Sequence, residues 1–370
     1  MSGIPDRCWT EVDASALRHN LRAIRKAIPR GTGLMAIVKA NAYGHGVEPI
    51  ARECSRFGAT WFGVANLHEA MSLRKFGFKQ PILILSAVLP GEMTEAVRRG
   101  FVLAISSLDE ARQLAAVGRK LKRKARVHFK VDVGMGRLGI WHEEAKLAIA
   151  LARILAGLSV EGVMTHFPCS DDNAALTKRQ WQNFDHVRQA FPRLRAHVAN
   201  SPSIFSAIPS LSHYEMVRPG IALYGAGPTP ESEKVLRPVL TWKSRVSHVD
   251  YVPAGRTISY GSTYRLRRAE THAVIAVGYA DGYHRLLSNR AQVLIRGKRC
   301  PQRGRVTMDQ IVVDISGAGT VKPGDEVVLI GRQGREEITA NEMARWAETI
   351  SYELFTSISP RVVRYYKNFK

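Results

Sequence analysis

Eight short apolar runs, at 34–38, 61–64, 81–85, 102–105, 127–131, 162–165, 197–199 and 216–223, alternate with segments of helical period between about residues 30 and 240. Helical patterns fall at 14–27, 67–76, 109–117, 143–156 and 177–191. Short runs without polar alternation are the pattern of strands buried on both faces, as in parallel sheets. Eight such strands with helices between them predict an α/β fold closed as a parallel (β/α)8 barrel of the TIM type. A doubly wound open sheet is the alternative, and no GxGxxG opens the first helix to support it.

Beyond Pro238 the texture changes. Strand-like runs at 240–249, 273–277, 291–295, 310–315 and 326–330 are separated by Gly, Pro and Asp turns, which reads as a mostly antiparallel β domain. A last helix is expected over 339–350, followed by an extended tail. The predicted domains are therefore 1–238, the barrel, and 239–370, the β domain, with the first ten or so residues free to pack on the β domain.

Hydrophobic residues make up 45% and charged residues 23% of the 370, an ordinary globular composition. The N-terminus lacks the apolar core of a secretory signal, and the longest apolar segment, 147–158, is interrupted by Arg153 and too short to span a bilayer. Cys8, Cys54, Cys169 and Cys300 are scattered, with no zinc-ligand spacing, so reduced thiols, a cytoplasmic location and no metal are expected. The net charge of +22 raises nucleic-acid binding. Its densest run, 119–126, lies between a helical pattern and a strand and reads as a solvated helix end, with no recognised nucleic-acid motif. Neither a specific nucleic-acid partner nor a membrane is expected.

In a βα barrel, reactive groups sit at the C-terminal ends of the strands. The run Ala36-Ile37-Val38 ends at Lys39, and Ala40-Asn41-Ala42-Tyr43-Gly44-His45-Gly46 follows. Partial desolvation there lowers an ammonium pKa and exposes a nucleophilic amine able to form a Schiff base with an aldehyde. Other strand ends carry Lys130, Asp132 and Arg137, then His166, then Asn200 and Ser201, then Arg218, Gly220 and Ile221. Gly220 and Ile221 can offer backbone N–H groups to a phosphate, Ser201 and Tyr43 hydroxyls, and Arg137 a cation facing a phenolate oxygen. Together these suit a phosphorylated aromatic aldehyde, pyridoxal 5′-phosphate (PLP), held by Lys39.

The run 38–46 resembles the PLP-lysine signature of the alanine racemases, PLP enzymes of the barrel class (fold-type III). Matching segments recur in order at 131–137, Asn200-Ser201, 218–221, 259–261, 278–282 and Met308-Asp309. The resemblance implies that Lys39 is the base on the D-face of the substrate and Tyr260 the base on the L-face. It implies that Lys130 is carbamylated and orients Arg137, that Tyr352 touches the phosphate and limits the pocket, and that Arg137 and the Met308 backbone meet the substrate. Tyr279 would line the way in, with Asp309 beside it as support. His166 would face the cofactor, and Arg218 its ring nitrogen.

Lysine and tyrosine have similar unperturbed pKa values, about 10.4 and 10, so the pair can exchange donor and acceptor roles across a carbanion. Arg137, Arg218 and His166 are read as positive charges that favour a tyrosinate. Tyr260 lies in the β domain, and by the resemblance each site joins one chain's barrel to its partner's β domain in a homodimer with shared sites. The implied activity is interconversion of L- and D-alanine, supplying D-alanine for peptidoglycan. A broader amino-acid racemase of the same fold is the alternative.

Overall fold

Three of the apolar runs form strands in which every residue is buried, Trp61–Val64, Ile82–Ile84 and Val102–Ile105, as two-faced covering requires. In the computed structural model, which describes residues 5–205 and 214–369, they belong to a parallel sheet with eight strands on its main path and a ninth, Ile140–Trp141, beside Ala125–Asp132. The first four residues of the stretch read for a secretory signal lie outside those described.

The sheet runs Met216–Val217, Gly33–Ile37, Trp61–Val64, Ile82–Ile84, Val102–Ile105, Ala125–Asp132, Leu158–Met164, Arg195–His197. Arg218 N donates to Ala199 O at 2.9 Å, which brings the last strand to the first and nearly closes the barrel. Helices between the strands start where the sequence supplies caps. Asn66 Oδ1 accepts from Glu69 N at 3.0 Å and Ser107 Oγ from Glu110 N at 3.1 Å. The Glu69 and Glu110 carboxylates reach one residue further back, accepting from Ala65 N and Ser106 N ahead of the caps.

The eighth strand is shorter than its apolar run: it stops at Val217, and Ile221–Tyr224 form a 3₁₀ turn. Pro219 has no N–H to continue a ladder, and Gly220 turns the chain.

The chain divides into two compact units, Arg18–Ala42 with Val47–Leu236, and Met1–Leu17, Tyr43–Gly46 with Arg237–Lys370. The second is built on a nine-stranded, mostly antiparallel sheet. Its long strand Leu240–Val252 pairs antiparallel with Cys8–Asp13, Glu270–Ile275 and Glu326–Gln333. Trp242, fully buried in that strand, donates its indole N–H to Cys8 Sγ at 3.2 Å. The tail forms the strand Val363–Lys367, parallel to Cys8–Asp13. The last helix is two helices, Ala340–Trp346 and Ser351–Ser357, separated where Glu348 takes a left-handed φ of 54°.

Candidate active site

Lys39 follows directly where the first barrel strand leaves the sheet; Val38 N still donates to Gly63 O at 3.0 Å. The next four residues, Ala40, Asn41, Ala42 and Tyr43, have φ of 50°, 53°, 53° and 51°. This is a turn of left-handed helix built without glycine, a conformation that costs about 1–2 kcal/mol per residue. Three bonds hold it: Ala42 N to Val38 O at 2.9 Å, Ala40 N to Glu69 Oε1 at 2.8 Å, and Val47 N to Asn41 Oδ1 at 2.8 Å. Glu69 thereby ties the turn to the next strand–helix loop. The Lys39 ammonium titrates below its ordinary value, first because of burial and then through Arg137, with Glu69 opposing.

Lys130 lies in the strand Ala125–Asp132 and is almost fully buried. Burial lowers it to about 8, with Arg137, Arg218 and Lys39 adding to the effect and Asp132 opposing it. Among the described residues Lys130 makes no ion pair. Asp132, next along, has a structural task. Its Oδ1 accepts from Gly134 N and Met135 N, both at 2.8 Å, and its Oδ2 from Gly136 N at 2.9 Å. That one carboxylate shapes the loop that carries Arg137.

Arg218 is buried and pairs with no carboxylate among the described residues, and burial lowers it to about 9. Its Nη1 donates to His197 O and, at 2.9 Å, to His197 Nδ1. Its Nη2 donates to Thr165 O at 2.6 Å and Val198 O at 3.1 Å. An arginine has five N–H groups, so the one left without a partner among the described residues is Nε. His197 in turn meets His128 at 2.7 Å. Burial followed by the nearby arginines pushes His128 to about 3 and His197 well below its ordinary value. His166 is likewise held at about 3, by burial, then Arg218, Lys130 and Arg137. It is therefore neutral at pH 7, and the positive potential expected of it comes from Arg137 and Arg218 instead.

At the eighth strand end, Ser201 Oγ accepts from Gly220 N at 2.9 Å and Ala222 N at 3.2 Å. A hydroxyl that accepts twice keeps its own hydrogen to give to an anion. Gly220 and Ile221 open the 3₁₀ turn beside it. Tyr224 is a packing residue, its hydroxyl donating to Ile37 O at 2.9 Å.

In the second unit Tyr43 lies 5.9 Å from Tyr352, centroid to centroid, and burial followed by Tyr352 pushes its hydroxyl up. Tyr260 belongs to no strand. It sits in a tight turn, 71% exposed, between Ser259 at φ 62° and Gly261 at φ 71°. Ser259 Oγ donates to Arg305 O at 2.6 Å and fastens this turn to the loop that holds Met308. Tyr279 N donates to Thr307 O and Ala280 N to Met308 O, both at 3.0 Å. Tyr260, Tyr279 and Met308 are all exposed. Asp309 is bound to Arg361 at 2.7 Å, and the same guanidinium grips Asp281.

Sequence reading did not single out Glu69, His128, His197, Asp281 or Arg361. Glu69 was within reach through the Asn66-x-x-Glu69 cap. The histidines gave no signal, because only the closed barrel stacks three strands' polar groups behind Arg218.

Two family models match: "Alanine racemase, N-terminal domain" over residues 12–228 and "Alanine racemase, C-terminal domain" over 239–366. The alanine racemase of Symbiobacterium thermophilum is 46% identical over 368 residues, covering 97% of this chain and 96% of that protein. The crystal structure of alanine racemase from D-cycloserine-producing Streptomyces lavendulae superposes with a TM-score of 0.91 at 36% identity, covering 98% of this chain and 97% of the other. That of Bartonella henselae alanine racemase, described with covalently bound pyridoxal phosphate, gives 0.90 at 28% identity, covering 98% and 100%. A barrel with a lysine at its first strand end, a mostly antiparallel second unit and near full-length likeness throughout agree: the chain belongs to the alanine racemase family.

Proposed function

We propose that this enzyme racemises alanine on PLP held by Lys39, with Lys39 and the partner subunit's Tyr260 as bases on opposite faces of the substrate. The observation that carries the cofactor reading is the donor set at the strand ends. Ser201 hydroxyl and the N–H of Ile221 suit a phosphate, whereas the N–H of Gly220, expected there from the sequence, is given to Ser201 Oγ; the unspent Nε–H of Arg218 suits a ring nitrogen. Tyr43 and Tyr352 add hydroxyls for the phosphate. The B. henselae relative carries the same group. When bound, PLP supplies a conjugated ring that takes up the electron pair left as the α-proton departs.

The chain's own groups do the rest. Lys39 Nζ, with its titration lowered by burial and Arg137, can be neutral and take a proton from one face. Tyr260 Oη returns one to the other face. Arg137 and the Met308 backbone hold the substrate, with Tyr279 at the way in and Asp309 steadied by Arg361 beside it. Lys130 is proposed to carry a carbamate. A buried amine among Arg137, Arg218 and Lys39 gains an anion by losing a proton and bonding CO2, and that anion would orient Arg137.

The enzyme is further proposed to act in the cytoplasm as a homodimer, making D-alanine for peptidoglycan. Exposure of Tyr260, Tyr279 and Met308 supports shared sites, since three large side chains stand ready to be covered. The domain division proposed is a barrel through residue 238 and a β domain from 239, with the N-terminal strand on the β domain. Mixing Lys39→Ala and Tyr260→Phe chains should restore activity towards one half of wild type in verified mixed dimers, and towards one quarter in an unseparated random mixture. Mixed dimers as inactive as either parent would rule out sites built across the two subunits.

A further inference from the structure

The barrel unit is electrically polarised along its axis. Its helix-to-strand connections all lie at the N-terminal ends of the strands. Across the windows 25–32, 52–60, 74–81, 98–101, 119–126, 153–157 and 188–195 there are 20 Lys or Arg and one acid, Glu53. The opposite end provides an internal control. Five of its strand-to-helix windows, 65–69, 85–92, 106–110, 133–144 and 165–174, hold eight acids and one base, Arg137, and the connections after the first and eighth strands add the bases Lys39 and Arg218.

Helix dipoles favour bases in last turns and acids in first turns, and this explains part of the asymmetry. It does not explain Arg30, Lys79, Lys122, Lys124 and Arg193, which lie beyond the last turn, where the dipole's field has faded. Ion pairs neutralise only part of the charge: Arg52, Arg56, Arg98, Arg99, Arg126 and Arg188 pair with Glu48, Glu53, Glu95, Glu161 and Asp185. Exposed Lys79, Lys120, Lys122, Lys124 and Arg193 make no ion pair among the described residues. Arg25, Arg74, Arg119 and Arg123 donate to backbone carbonyls, which fixes them in place and leaves their charge uncompensated.

The same face carries apolar side chains beside its densest charge. Ile154, 80% exposed, follows the helix His142–Arg153, and Leu151 is exposed in that helix's last turn. Arg119 donates to Ala156 O at 3.1 Å, which sets this corner against the basic run 119–126. We propose that this end of the barrel docks peripherally on an anionic phospholipid bilayer, lysines on headgroup phosphates and Ile154 in the interface. Exposed bases plus a few aliphatics are the chemistry of such surfaces. Among the described residues no helix is long and apolar enough to cross a membrane, so the attachment is superficial.

Nucleic acid fits less well. The rings of Phe57, Phe78, Phe101, Phe191 and Trp61 are each covered by an arginine, within 6 Å of the centroid, which removes the stacking platform that single strands need. Docking in this way would turn the acidic end, with Lys39 and Arg218 at its strand termini, away from the lipid. It departs from the sequence-based expectation of no membrane partner, since the one-ended charge is visible only once the loops are sorted by barrel end.

Flotation of the whole enzyme with vesicles tests this. Vesicles of phosphatidylcholine with about 30% phosphatidylglycerol should bind it at low salt, and pure phosphatidylcholine should not. The Lys120→Glu, Lys122→Glu, Lys124→Glu triple variant should lose about 100-fold in partitioning. Ile154→Ser should lose about tenfold at unchanged net charge. A control triple in the other unit, Lys298→Glu, Lys322→Glu, Arg335→Glu, should lose far less. Racemase activity without vesicles checks that all variants are folded. Equal losses in the two triples, an unaffected Ile154→Ser, or tighter binding to duplex DNA or RNA than to the anionic vesicles would overturn the proposal.

Discussion

Arg218 donates from Nη1 to Nδ1 of His197 at 2.9 Å in the closed interior of the barrel. Guanidinium cannot accept, so that nitrogen must be bare. His197 then carries its hydrogen on Nε2 and gives it to His128 Nδ1, 2.7 Å away. His128 keeps its own hydrogen on Nε2, an atom buried without a partner among the described residues. Nitrogen-15 spectra of the protein without cofactor should show both imidazoles as neutral Nε2–H tautomers. A proton on His197 Nδ1 would contradict the chain of donors. Arg218→Leu should release His197 to sample both tautomers.

The same burial makes His128 an acid-stability element. Its pKa of about 3 in the fold lies below the unfolded value of about 6.5. Between those values only the unfolded chain binds the proton. Its contribution is therefore complete above pH 6.5 and is lost as pH falls towards 3, on the order of 4–5 kcal/mol in all. His128→Gln, which keeps an acceptor for His197, should flatten the acid limb of stability measured by urea unfolding. An unchanged limb would mean that His128 is not the titrating group.

How far the sequence foretold this can be judged element by element. Trp61–Val64 and Val102–Ile105 were legible to the residue, because a parallel strand buried on both faces is a plain apolar run between polar turns. Met216–Val217 was overread, since the apolar run continues through Pro219 into a turn that is equally buried. The strand Cys8–Asp13 was missed because its partners lie more than two hundred residues away, at Leu240–Val252 and Val363–Lys367. Lys39, Lys130 and Arg218 could be seen as polar residues at strand ends. The histidines behind Arg218 could not, because a lone buried His has no sequence pattern.

A carbamate on Lys130 should be visible directly. Protein equilibrated with 13C-bicarbonate should give one carbamate carbon resonance that is absent from Lys130→Ala. Removing CO2, or lowering the pH far below about 8 so that almost no free amine remains, should bleach it. An intact enzyme with no such resonance would leave Lys130 a bare cation.

Asp132 should matter for catalysis although it need not touch substrate. Asp132→Ala removes three charge-assisted bonds to the loop 134–136, at about 1.5–3 kcal/mol for each that is not replaced by water. Loosening Arg137 should raise KM for alanine at least tenfold, with a smaller fall in kcat. Wild-type KM in a folded Asp132→Ala variant would contradict the positioning role.

Ala42, at φ 53°, makes the left-handed turn testable. Ala42→Gly should change stability by less than about 1 kcal/mol, because relief of the left-handed strain offsets the added freedom of the unfolded chain. Ala148→Gly, in the ordinary helix His142–Arg153, should cost at least about 1 kcal/mol. Equal losses would show that the turn is not left-handed in solution.

The two-base assignment is tested most directly by α-proton exchange in deuterium oxide with the PLP-loaded Tyr260→Phe enzyme. Lys39 acting alone on its own face requires that D-alanine still exchange its α-proton while L-alanine stays protonated and neither inverts. Exchange of L-alanine at the wild-type rate would place the second base somewhere other than Tyr260.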